Sequence, residues 1–185
     1  MVRVLLASFL MLCTVFLEAQ NFEWVQTSGD IGDDVGVAIA VDNWGNVYTM
    51  GSFEGTVDFD PGPGTANHTA VGTYDIFIQK LSAGGSFLWA KSFGGSIYEN
   101  GLSMAVDRWG NVFTAGEFTG TIDCDPGPGT TNLVGASPFV VDIFIQKLDS
   151  AGNFLWAKSL GSSATSESVR SISTDVSGNV VLTGY

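Results

Sequence analysis

The sequence predicts an all-β chain built from repeated four-stranded antiparallel meanders, and three observations predict it. Segments recur at a long interval: Ile-Phe-Ile-Gln-Lys-Leu at 76–81 returns unchanged at 143–148, Phe-Leu-Trp-Ala-Lys-Ser at 87–92 returns at 154–159, and Asp-Pro-Gly-Pro-Gly-Thr at 60–65 returns at 125–130. Runs rich in Val, Ile, Phe and Trp alternate with turn-forming stretches in a chain with 24 glycines in 185 residues, a pattern of short strands and tight turns. Strong helix formers are scarce after the first twenty residues. A repeat of this length, made of several apolar runs, marks units that bury their cores only against one another.

The first element is a leader. Arg3 supplies the positive start, and residues 4–17 form an apolar run too short to cross a bilayer comfortably. The small residue Ala19 predicts cleavage before Gln20, giving a signal peptide over 1–19 and a secreted, extracellular or cell-surface protein. Leu12 stands before Cys13 where a lipoprotein leader wants a small residue. The mature chain then keeps Cys124 alone, which excludes an intrachain disulfide. Its counterpart one repeat earlier is Phe59, so Cys124 reads as a small buried hydrophobe.

Two complete units follow, over 20–88 and 89–155, and a third, truncated unit covers 156–185. Trp24, Trp89 and Trp156 are spaced by 65 and 67 residues and read as strand residues of the core. The third unit stops at Tyr185, midway through the pattern, so further units are expected beyond it. Within a unit the first strand is 37–41 and the second 47–50, joined by the turn Asp42-Asn43-Trp44-Gly45-Asn46 with glycine where positive φ is needed. The third strand is 76–81 and the fourth 87–93, joined across 82–86. The second unit repeats these at 103–106, 112–115, 143–148 and 154–160. The runs are nearly continuously apolar, which suits strands covered on both faces. A β-helix coil is much shorter than this repeat, and a string of sandwiches would show polar outer faces. Four-stranded meanders packed on both faces are the blades of a β-propeller, here about two and a half of them.

Composition excludes several functions. An apolar fraction of 45% excludes disorder. A net charge of −12 argues against nucleic acid, whose phosphates need Lys and Arg, and against an anionic membrane surface. After signal cleavage nothing inserts into a membrane. No nucleophile–base constellation, Cys/His metal spacing or phosphate-cradling loop is present in the sequence, so no catalytic residue is expected. His68 has no counterpart in the second unit and carries no expected role.

Two sets of residues remain as site candidates. Asp58 and Asp60, with Asp123 and Asp125, begin a Pro-Gly-rich insert after the second strand. Carboxylates at i and i+2 before glycine suit a calcium loop, while Asp before Pro-Gly also initiates turns, and both readings stay open. No cofactor is required; calcium is the one to consider. Trp44 and Trp109 tip the first hairpin of neighbouring units, where they would stack on a glycan, contact a protein partner, or lie over the next turn; the third unit has Ser177 there. Asp42, Asp107 and Asp175 open the hairpin turns, and Asp75 and Asp142 precede the third strand, where their side chains would bond turn amides.

The pattern Asp-x-x-Gly-Asn-Val-Tyr/Phe-Thr-x-Gly, then Asp-Ile-Phe-Ile-Gln-Lys-Leu, then Gly-x-Phe-Leu-Trp-Ala-Lys-Ser resembles the SBBP-type (seven-bladed β-propeller) repeat across about 22–185. The insert resembles a variant of large secreted proteins in Bacteroidetes-type bacteria, which often use type IX secretion. The resemblance implies that the strand ending at Val41 lines a central channel and the Trp89 strand lies outermost, with the remaining blades of a longer chain completing the ring. It implies a non-catalytic module for binding or scaffolding at the cell surface, against two rivals: calcium-dependent adhesion, or part of an enzyme whose active site lies in other blades. The protein or glycan bound is not specified by these residues.

Overall fold

The computed structural model describes residues 23–185; the expected signal peptide and its cleavage point lie outside them. The described residues form strands and turns without helix. Strands β1 (Val35–Val41), β2 (Val47–Phe53), β5 (Asp75–Leu81) and β6 (Phe87–Gly95) form the first antiparallel blade. Strands β7 (Tyr98–Val106), β8 (Val112–Thr119), β11 (Asp142–Leu148) and β12 (Phe154–Leu160) form the second, and β13 (Val169–Thr174) pairs with β14 (Val180–Gly184) as the start of a third. The sequence units are therefore offset from the sheets by about one strand, since β6 belongs to the first sheet. The all-β propeller arrangement is as the sequence predicts.

Blades stack face to face. Tyr48, Met50, Ile76, Ile78 and Phe93 of the first meet Met104, Val112, Phe118, Phe144 and Leu148 of the second in one core. Phe113, Ala115, Ile143 and Ile145, on the other face of the second blade, meet Val169 and Ile172 of the third. This two-sided burial explains the unbroken apolar run Ile-Phe-Ile: every residue of β5 is buried. The first strands β1, β7 and β13 stand side by side, and β6 and β12 lie at the far edge of their blades, as the resemblance implied. Alternate side chains of β1, among them Ile39 and Val41, remain exposed.

The inserts depart from expectation. Each contains a short hairpin, β3 (Thr56–Asp58) with β4 (Asn67–Thr69), and β9 (Thr121–Asp123) with β10 (Asn132–Val134). Gln79 Nε2 donates to the Phe59 carbonyl at 2.6 Å, and Gln146 Nε2 to the Cys124 carbonyl at 2.7 Å, so the same glutamine ties each insert to its blade. The second insert also reaches back: β9 pairs with the end of β6 through Gly94–Asp123 and Gly95–Ile122, covering part of an open sheet edge.

Candidate functional site

Propeller strands run between two rims. The hairpin rim carries the turns within blades; the crossover rim carries the inserts and the links between blades. On the hairpin rim one turn is used repeatedly. Asp42 N–H donates to the Asn46 carbonyl and Gly45 N–H to the Asp42 carbonyl, both at 3.0 Å, with Gly45 at φ 81°. This is a type I turn followed by a left-handed residue, which suits glycine. Asp42 Oδ1 accepts from the amides of Trp44 and Asn46, both at 2.9 Å, and Oδ2 accepts from Asn46 Nδ2 at 2.8 Å. Asp107 and Asp175 repeat the network, and so does Asp149, which the sequence reading passed over despite the same Asp-x-x-Gly-Asn spacing. Burial pushes Asp42 and Asp149 upward, but these donors outweigh it and hold both carboxyls below the ordinary range.

The tryptophans lock one blade to the next. A Cβ added at Gly110 would lie 3.4 Å from the Trp44 ring, and one at Gly178 only 2.7 Å from the Trp109 ring. Each indole thus covers the following blade's turn, yet Trp44 is 63% and Trp109 45% exposed, and the Arg108 guanidinium sits 4.2 Å above the Trp109 ring. Two further tryptophans reach hairpin turns from further out. Trp89 Nε1 donates to the Ser150 carbonyl at 3.2 Å, and Trp24 Nε1 to the Ala83 carbonyl at 2.9 Å. Two corrections follow. Trp24 lies outside any strand, and Trp89 and Trp156 pack against the blade cores as expected but are half-buried rather than fully enclosed.

The acidic inserts commit their first carboxylates to backbone. Asp58 Oδ1 accepts from the amides of Asp60 (3.0 Å) and Ala66 (2.7 Å), and Asp60 Oδ1 from Gly62 (2.8 Å). Asp123 and Asp125 repeat this with Thr131 and Gly127. Asp60 Oδ2 lies where a Cβ at Gly64 would fall, so any other residue there would make the Asp60 carboxylate shift. Amide donors hold Asp58 below the ordinary carboxylate range. Among the described residues no group of three or more His, Cys, Asp or Glu side chains could hold a metal ion. Cys124 is buried, its thiol pushed up to about 12 by burial and then by Asp123. His68 Nδ1 stands 2.8 Å from Ser92 Oγ, and its ring meets Phe59 edge-on.

The crossover rim holds what the sequence reading missed. A cavity of about 590 Å³ opens between the first two blades, lined by residues that include Asp33, Val37, Tyr74, Ile97, Tyr98 and Glu99. Glu99 is 5% exposed and its Oε1 has no hydrogen-bond partner. Burial and then the Asp75 carboxylate push Glu99 up to about 7, against the pull of the Ile97 and Gly95 amides. Asp75 is also raised by burial, while accepting from the amides of Val71 and Gly72. A signal existed: an acid recurs at or just before the start of the first strand of each blade, as Asp34, Glu99 and Glu167.

No protein-family model matches the chain. Over 184 residues it is 27% identical to an uncharacterized WD repeat-containing protein of Acanthamoeba polyphaga mimivirus, covering 88% of this chain. The match spans 13% of that relative's length. The likeness agrees with the β-propeller repeat seen in the fold.

Proposed function

We propose that this chain is part of a secreted or cell-surface β-propeller of the SBBP type that binds a partner protein and performs no catalysis. The observation that carries the reading is the aromatic hairpin rim. Trp44 and Trp109, on adjacent blades, are seated on the next blade's turn, and both keep substantial exposed area. Indoles anchored in this way present apolar surface at little entropic cost, which is how aromatic side chains come to dominate interfaces. The likeness to a WD repeat-containing protein supports a protein partner. The repeated Asp turns and Asp inserts serve folding in this reading, since equivalent residues do equivalent backbone work in both blades.

The test is affinity capture from the outer surface of the source cells, followed by quantitative binding of the recovered partner. A Trp44→Ala/Trp109→Ala double variant that stays folded should lose about tenfold or more in affinity. Undiminished binding would remove the rim from the account. Binding to arrayed glycans in place of protein would transfer the same rim to a carbohydrate ligand.

A further inference from the structure

We propose that the cleft between the first two blades on the crossover rim binds an organic cation, a guanidinium or ammonium group on an apolar stem. The site is independent of the tryptophan rim. Its volume of about 590 Å³ lies within the range of small-ligand cavities. Val37 and Ile97 give it apolar walls, and Tyr74 and Tyr98 line it, aromatic side chains of the kind that attract cations. Glu99 supplies the charge, and Asp33 adds a second carboxylate at the edge.

Glu99 is the deciding residue. A carboxylate this deeply buried with an unpartnered oxygen is costly unless something pairs with it. Its equivalent in the third blade is satisfied inside the chain, Glu167 accepting from Ser162 N–H at 3.3 Å and Thr165 Oγ1 at 3.0 Å, while Asp34 accepts from the Asp30 amide at 2.8 Å and keeps a buried, unpartnered Oδ1 of its own. Among the described residues the one ion pair is Lys80 with Asp42, on the opposite rim, so no lysine or arginine there neutralises Glu99. A small hard metal is a poor fit, because calcium takes roughly 6–8 oxygen ligands and no sufficient carboxylate cluster stands here. The cleft is also singular. The residues equivalent to Tyr74 and Tyr98 in the next cleft are Val141 and Ser166, so the aromatic walls are not a feature of the repeat. The net charge of −12 favours the approach of a cation.

The experiment is calorimetric titration of the protein with n-butylguanidinium, n-butylammonium, the neutral isostere n-butylurea, and the peptide acetyl-Gly-Arg-Gly-amide. At least one cation should saturate while butylurea does not. Glu99→Gln should weaken binding by about tenfold or more, and Asp33→Asn by less, whereas Glu167→Gln should change it by under about twofold. Glu99→Gln removes a buried charge, so the variant is expected to fold, and circular dichroism checks this. A peptide that binds about tenfold tighter than butylguanidinium assigns the site to an arginine of a protein partner. Comparable affinities assign it to a free amine or guanidine. Butylurea binding as well as the cations, no saturation by any cation, or unchanged affinity in Glu99→Gln would each overturn the proposal.

Discussion

The two rims solve opposite problems with the same side-chain chemistry. On the hairpin rim carboxylates are surrounded by donors: Asp42 takes two amides and an Asn46 side chain, and Asp107, Asp149 and Asp175 do the same. On the crossover rim Glu99 and Asp75 are buried near one another, with Glu99 Oε1 unpartnered. Donors pull Asp42, Asp149 and Asp175 down, and burial pushes Asp75 and Glu99 up. The lesson is that repeated residues do the backbone work that holds blades in shape, while the departure from repetition at Tyr74 and Tyr98 marks the one cleft proposed for a small cation.

The strongest way to break this contrast is steric. Gly152 has φ 80°, and a Cβ there would lie 3.0 Å from the Lys91 side chain and 3.2 Å from the Trp89 ring, so Gly152→Ala should cost about 3 kcal/mol in urea unfolding, combining left-handed strain with crowding of the side chains seated on this turn. Gly55 on the crossover rim has φ 70° but nothing near its Cβ, so Gly55→Ala should cost only about 1 kcal/mol. Equal losses would mean that tryptophan seating adds nothing.

Titration sharpens the contrast next. Glu99 is raised on folding, so the folded state binds its proton more tightly. Stability from this group is full below the ordinary carboxylate range and is lost as pH rises through about 7. Glu99→Gln should therefore stabilise the protein by about 2 kcal/mol at pH 8 and scarcely at pH 4. Asp42 and Asp149 are lowered, so their contribution is present above the ordinary range and is lost as pH falls through their folded values. Unfolding curves across pH 3–9 for wild type and Glu99→Gln separate the two signs; a variant curve parallel to wild type would refute the assignment.

Smaller effects follow. Asp107→Ala removes acceptors for three donors and should cost about 1–2 kcal/mol, read from the urea midpoint. Calcium is the smallest expected effect: if the Asp58 and Asp123 loops are satisfied by amides, millimolar calcium should move Tm by less than about 1 °C. A rise of several degrees, abolished in Asp58→Ala, would restore calcium-dependent adhesion as the working reading.

Much of the hairpin rim was legible because its causes are local. Asp-x-x-Gly-Asn carries both the acceptor and the glycine that the turn requires, within five residues. The blade cores were legible because two-sided burial leaves an unbroken apolar run. The inserts were not, since their three-residue strands are held by Gln79 and Gln146, about 20 residues away in sequence. The cleft was harder still. Glu99 differs from Glu167 not in type but in what the neighbouring loop offers it, and that depends on how blades meet.

The seating of each indole on the following blade's turn gives the molecule a direction. A joint between blades has a tongue on one side and a groove on the other, so the two faces of a blade are not interchangeable. Such head-to-tail joints add subunits in one sense only, and they end either in a closed circle or in an open spiral. Tongue and groove are written in the same few residues at the two joints, Trp44 over Gly110 and Trp109 over Gly178, although the third blade carries Ser177 in the tongue's place. Duplicating one unit would lengthen the arc without requiring a new interface, and the ring's circumference becomes a matter of counting copies.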